Sequence, residues 1–275
     1  MANITAAEVN KLRKMTGAGM MDCKKALVES EGDFDKAIDI LRKKGQKVAN
    51  KRADKEANEG IVLARTNENK TYAAVVKISC ETDFVAKNEE FVGFANKVMD
   101  RVLEVKPANV DELKGLEVNG VSIEQGLTEL IGKTGEKMEL HGFESLEAQN
   151  VAAYNHMGNK LATILGLSKS GNDDAGHQLA MQVAAMNPVA VDRDDVPKEV
   201  IDKEIEIGMD QARQEGKPEN MLEKIATGKL NKFFKENTLV NQDFIRDTKI
   251  TVGQFLKNTD PELKVTGFRR LMLGA

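Results

Sequence analysis

Cys80-Glu81-Thr82-Asp83-Phe84-Val85-Ala86-Lys87-Asn88 joins two contrasting patterns. Before it, Tyr72 to Ile78 reads as a buried strand; after it, Phe91, Ala95, Val98 and Val102 recur at helical spacing. The stretch is therefore a strand-to-helix connection, and it sets an acidic residue beside a phenylalanine. Connections run over the surface and are normally polar. Phe84 has two readings: it folds back into the core, as most phenylalanines do, or it protrudes as a wedge that a partner protein must accommodate.

Outward from this stretch, Ile61–Thr66 and Tyr72–Ile78 flank Asn67-Glu68-Asn69, a hairpin loop. Asn88 is placed to cap the helix carrying Phe91 to Val102. Residues 107–120 read as irregular. Ser122 and Gln125 form a capping box ahead of Ile123, Leu127, Leu130 and Ile131, a helix that ends near Gly132 to Gly135. A similar unit starts near residue 137: strands at Lys137–Leu140, Asn150–His156 and Leu161–Ser168, a turn at Gly158-Asn159, then a helix from Asp173 or Asp174 with Leu179, Val183 and Met186 on one face. Hairpin then helix occurs twice, a duplication of element order without sequence identity.

Toward the N-terminus, residues 3–45 read as three short helices. Thr5 and Glu8 make a capping box flanked by Ile4 and Val9, Gly17 and Gly19 separate the first helix from the second, and Met20, Cys23 and Leu27 share a face. Asp33 caps a third helix with Phe34, Ala37, Ile38 and Leu41 inward, and Gly45 is well placed to end it. Three small helices around one thin core resemble a ubiquitin-associated module. The basic run Arg42, Lys43, Lys44, Lys47, Lys51, Arg52 and Lys55 then reads as a solvated linker helix, with an RNA-binding stripe as the rival.

From Asp192 the pattern narrows. Ile201, Ile205, Gly208 and Ala212 form a thin seam, Gly216-Lys217-Pro218 breaks it, and Leu222, Ala226, Leu230 and Phe233 return. Such a seam is an antiparallel helical hairpin, too thin for a domain, inserted before Phe244–Ile245, a helix at Val252–Leu256 and a strand at Val265–Leu273. The expected fold is α+β: a three-helix module and linker (1–56), a core N-subdomain (57–136), a core C-subdomain (137–191 and 231–275) and the inserted hairpin (192–230). Both subdomains are expected to hold antiparallel sheets.

With 275 residues, 41% hydrophobic and 31% charged, the chain is long enough for more than one core. A net charge of −4 and only 4% aromatics, with no Trp, argue against direct nucleic-acid binding by phosphate neutralisation or base stacking. Two cysteines and no secretory pattern point to a reduced cytoplasmic compartment, and no apolar run reaches membrane-span length.

Enzyme signatures fail on spacing. Gly126 to Gly132-Lys133-Thr134 has five residues between its glycines where a phosphate-binding loop needs four, and it lies inside a helical pattern. His141, His156 and His177 lack partners at metal-ligand spacing. Neither a nucleophile elbow nor a dinucleotide fingerprint is present, so no catalytic or cofactor site is expected.

Leu12-Arg13-Lys14-Met15-Thr16-Gly17-Ala18-Gly19-Met20-Met21-Asp22-Cys23-Lys24-Lys25-Ala26-Leu27 closely resembles the opening signature of the bacterial elongation factor Ts family, and Thr82 to Lys87 resembles its second. The resemblance continues, more weakly, along nearly the whole chain. It implies a guanine-nucleotide exchange factor for elongation factor Tu, whose catalysis consists of binding. It further implies that Thr82, Asp83, Phe84 and Val85 disturb the partner's Mg²⁺ and phosphate site, with Phe84 entering a gap in the G domain. Leu12, Arg13, Met20, Met21 and Lys24 would dock the N-terminal module, and His156 and His177 would lie on a second contact surface. The hairpin is a place for self-association or extra contacts. Many family members continue past the last strand into a helical module; this chain ends Leu271-Met272-Leu273-Gly274-Ala275, so that contact is expected to be missing or replaced. The rival classes are an adaptor using the ubiquitin-associated-like module alone and an RNA-binding protein using Arg42 to Lys55.

Overall fold

The computed structural model describes residues 4–274; residues 1–3 and Ala275, at the outer ends of the first and last units, lie outside the described residues. Helices α1 (Ala6–Thr16), α2 (Met20–Glu29) and α3 (Phe34–Lys51) enclose a small core of Val9, Leu12, Cys23, Ala26, Leu27 and Ala37. The Thr5–Glu8 capping box forms, Gly17 ends α1 in the left-handed region at φ 67°, and Asp33 caps α3.

Gly45 corrects the sequence reading. It does not end the third helix but lies buried within α3, which runs on to Lys51 through the basic stretch. A Cβ there would stand 2.7 Å from the Thr128 carbonyl oxygen, and Gly132 is in direct contact. This glycine serves close approach of two helices.

The centre holds two three-stranded antiparallel sheets. After α3 come β1 (Glu59–Thr66), β2 (Tyr72–Cys80), the one-turn α4 (Asp83–Ala86) and α5 (Glu89–Val105). Residues 107–120, expected to be irregular, contain α6 (Val110–Gly115), capped by Asn109, and β3 (Glu117–Val118). There follow β4 (Val121–Ser122), α7 (Ile123–Thr134), β5 (Met138–Glu147), β6 (Asn150–Asn155), β7 (Leu161–Leu167) and α8 (Asp173–Met186). In order, β1-β2-β5 form one sheet. The strand expected to open the second unit thus pairs in the first sheet, from Cys80↔Met138 to Tyr72↔Glu147. That pairing is non-local, and nothing in the local pattern signals it.

Strand periodicity explains how the layers bind. On β1 and β2, Ile61, Ala74, Val76 and Ile78 face α5 and α7, while Val62, Ala64, Ala73 and Val75 face Val151, Ala162 and Ile164 of the other sheet. On β7, Leu165 and Leu167 turn the opposite way, toward α8. The central strands β2 and β7 are covered on both faces and read as nearly continuous apolar runs, whereas the edge strand β5 alternates buried and exposed residues over its first half.

The hairpin α9 (Lys198–Gln214) and α10 (Glu219–Asn237) packs Gly208 and Ala212 against Leu222 and Ala226, the expected seam. Its ends meet: Val189 N–H donates to the Asn237 carbonyl at 2.8 Å and Leu239 N–H to that of Ala190 at 2.9 Å. The chain then returns through β8 (Asp243–Phe244), β9 (Asp247–Thr251), α11 (Val252–Thr259) and β10 (Val265–Met272), which pairs with β7. Buried Gln182 of α8 donates to Gln242 at 3.2 Å and accepts from Ile245 N–H at 2.9 Å, fixing this return. Cys23 and Cys80 are both buried and unpaired. Among the described residues no helix is long and apolar enough to cross a membrane.

Candidate functional site

Where β2 leaves its sheet, Thr82 takes an extended conformation and caps α4, its hydroxyl accepting from Val85 N–H at 3.4 Å. Asn88 then caps α5, accepting from Glu90 and Phe91 at 2.9 and 3.3 Å. Successive residues of a helical turn point about 100° apart, so Val85 drops into the core, 9% exposed, and Phe84 stands 82% exposed. Phe84 does not fold back into the core; its side chain stands in solvent. Leaving a phenylalanine in water forgoes roughly 1.5–3 kcal/mol of burial.

The loop is braced. The β2–β5 ladder ends at Cys80↔Met138, and two carboxylates carry it further. Glu81 accepts from Lys137 N–H at 2.6 Å, while Glu136 accepts from Thr82 N–H at 3.1 Å and from the Thr82 hydroxyl at 2.7 Å. Arg52, just past α3, pairs with Glu81 at 3.1 Å. Beneath the loop the Cys80 thiol donates to the Thr82 carbonyl at 3.2 Å. Burial, with Glu136 and Glu59 nearby, pushes that thiol up to about 12, so it stays protonated.

Asp83 pairs with Lys87 at 2.7 Å on the exposed face. The hydrogen bond from Lys87, then its charge, holds the Asp83 carboxyl below its usual range; Lys160 adds a smaller effect. Lys160 lies on the β6–β7 turn and pairs with Glu59 at 2.7 Å, bringing that turn beside the start of β1.

The other residues singled out from the sequence divide. Arg13 and Lys24 are exposed, as are Met20 at 58% and Met21 at 63%. Leu12 is fully buried among the three helices, so it supports this face from beneath; its side chain offers no contact surface. Met15, in the same motif, is also exposed, at 57%. Between the module and α5 and α7 runs an open cleft of about 590 Å³, lined by Met15, Ile38, Phe94 and Leu130 among others. His156 and His177 are brought together by Tyr154. The Tyr154 hydroxyl lies 3.0 Å from His156 Nδ1, and its ring centroid is 6.0 and 5.7 Å from those of His156 and His177. Tyr154 and the 91% exposed Met157 carried no sequence signal beyond their strand and turn. In the basic run, Arg42, Lys44 and Arg52 are taken up by Glu129, Asp22 and Glu81.

Comparison with known proteins bears on this geometry. A family model described as elongation factor TS matches residues 81–275. Over 276 aligned residues the chain is 54% identical to the elongation factor Ts of Christiangramia forsetii, with both chains covered completely. This chain belongs to the elongation factor Ts family. The elongation factors Ts of Amoebophilus asiaticus and Bacteroides fragilis are 50% and 40% identical, each over 99% of both chains. Membership makes this a translation elongation factor, and the α+β fold built above is consistent with it. The match opens at Glu81, where the braced connection begins.

Proposed function

We propose that the protein binds the GDP form of elongation factor Tu and speeds release of GDP, allowing GTP to replace it. The observation that carries this is Phe84, 82% exposed on a loop tied down from below and from both sides. A GTPase of this kind holds GDP through phosphate contacts and Mg²⁺, so release is slow. Any factor that favours a conformation with poorer contacts weakens GDP binding, and GDP weakens the factor reciprocally. A ~10⁴-fold weakening requires about 5.5 kcal/mol of differential binding. One anchored aromatic at an interface supplies about 2 kcal/mol or more, and a rigid ring displaces what it meets.

In this reading Phe84 enters the G domain and Asp83 disturbs the Mg²⁺ site indirectly. Thr82 orients the turn and Val85 anchors it. The face bearing Arg13, Met20, Met21 and Lys24 docks the N-terminal module, and the Tyr154, His156 and His177 cluster meets another part of the partner. The protein needs no nucleotide chemistry or direct nucleic-acid contact of its own, and the outer face of the hairpin is the place for self-association. Release of a fluorescent GDP analogue from elongation factor Tu, followed at rising concentrations of the protein, tests this. Release should accelerate to a plateau with no nucleotide hydrolysed by the protein; an unchanged rate at saturation refutes it.

A further inference from the structure

Helix α4 is a single turn, too short to hold its own geometry, because helix nucleation is unfavourable. What aims Phe84 must therefore come from outside the turn. Val85 fixes its inner side, and the Asp83–Lys87 pair is exposed and weak. The start of the turn is held by one distant group. Glu136 takes both protons that Thr82 has to give, one at each carboxylate oxygen. With its proton directed at Glu136, the Thr82 hydroxyl keeps its lone pairs for Val85 N–H. The order runs from Glu136 through Thr82 to the amide next to Phe84. Glu136 is itself placed by the left-handed Gly135 at φ 76° and by its own N–H, which donates to the Thr134 hydroxyl at 3.2 Å.

We propose that Glu136 is a positioning residue for Phe84: its carboxylate clamps Thr82 and so sets the direction in which the exposed ring points. The role presupposes that Phe84 is the displacing group. Charge-assisted hydrogen bonds to two donors suit a carboxylate specifically. An amide at this position accepts from one donor and turns its own N–H toward the other.

The test uses full-length Glu136→Ala and Glu136→Gln, each alone and combined with Phe84→Ala. Fluorescent-GDP release from elongation factor Tu gives the plateau rate and the half-saturating concentration, and hydrogen exchange reports the Thr82 amide. Glu136→Ala should lower the plateau about tenfold and shift half-saturation by less than about twofold, since an interaction made only in the displaced state acts on the plateau. Glu136→Gln should recover part of the loss and guards against a folding defect. The Thr82 amide should exchange faster in Glu136→Ala, and in the Phe84→Ala background neither substitution should cost anything more. A wild type that accelerates release beside a fully active Glu136→Ala overturns this role alone, as does an equal loss with and without Phe84. A wild type that leaves release unchanged overturns the exchange reading and this role together.

Discussion

Phe84 and Val85 are neighbours in the chain and opposites in environment, 82% and 9% exposed. Their truncations should therefore part in a denaturant melt. Phe84→Ala should change stability by less than about 0.5 kcal/mol, as exposed positions do. Val85→Ala removes buried methyl groups and should cost about 1.5–3 kcal/mol. Equal losses would show that Phe84 packs in solution.

Asp83 supplies a pH test. The hydrogen bond from Lys87 and its charge hold the Asp83 carboxyl below the ordinary aspartate range, so a titration of Asp83 should have its midpoint below that of an unpaired aspartate. A depressed value in the folded state means the pair's contribution is present above the unfolded pKa and lost as pH falls through the folded one. The pair stays intact across the neutral range, but both side chains are exposed and the pair adds little, so Asp83→Asn should melt close to the wild type near pH 7. A midpoint at or above the ordinary value contradicts the pairing.

Gly45 and Gly93 make a matched contrast. A Cβ on Gly45 meets the Thr128 backbone at 2.7 Å, whereas one on Gly93 in α5 meets nothing within 4 Å. Thermal or denaturant unfolding should find Gly45→Ala destabilised by about 1–3 kcal/mol through overpacking. Gly93→Ala should be neutral or stabilised by up to about 1 kcal/mol. The opposite order would place the α3–α7 crossing elsewhere.

The helical hairpin should be dispensable for folding. Its two ends already meet at Val189–Asn237 and Ala190–Leu239. Replacing residues 197–235 with a short Gly/Ser linker should leave one cooperative melt. Loss of that melt would mean that the return from Thr238 to Gln242 cannot form without α9 and α10.

Much of this was legible in the sequence where local chemistry decides. Thr5, Asp33, Asn88 and Ser122 cap the helices expected of them, and Gly208 with Ala226 marks a seam so close that a Cβ on the glycine lies 3.1 Å from the Ala226 Cα. Tertiary choices were not legible. Glycine stops helices and also lets them touch, and at Gly45 the second use prevails. The strand after Gly135 pairs back to β2 across more than fifty residues, a contact that no local period records. The stretch 81–88 announced a connection, but the groups that brace it, Glu136, Lys137 and Arg52, are all remote in sequence. Leu12 lay in a matching motif, and only burial reveals that it points inward.

The most direct measurement is the plateau rate of fluorescent-GDP release from elongation factor Tu with saturating wild-type protein and with saturating Phe84→Ala, each first shown to melt alike. The wild type should accelerate release, and the variant's plateau should fall by roughly 30-fold, the rate equivalent of a hot-spot side chain worth about 2 kcal/mol. A Phe84→Ala protein that is equally stable and equally fast would contradict the account.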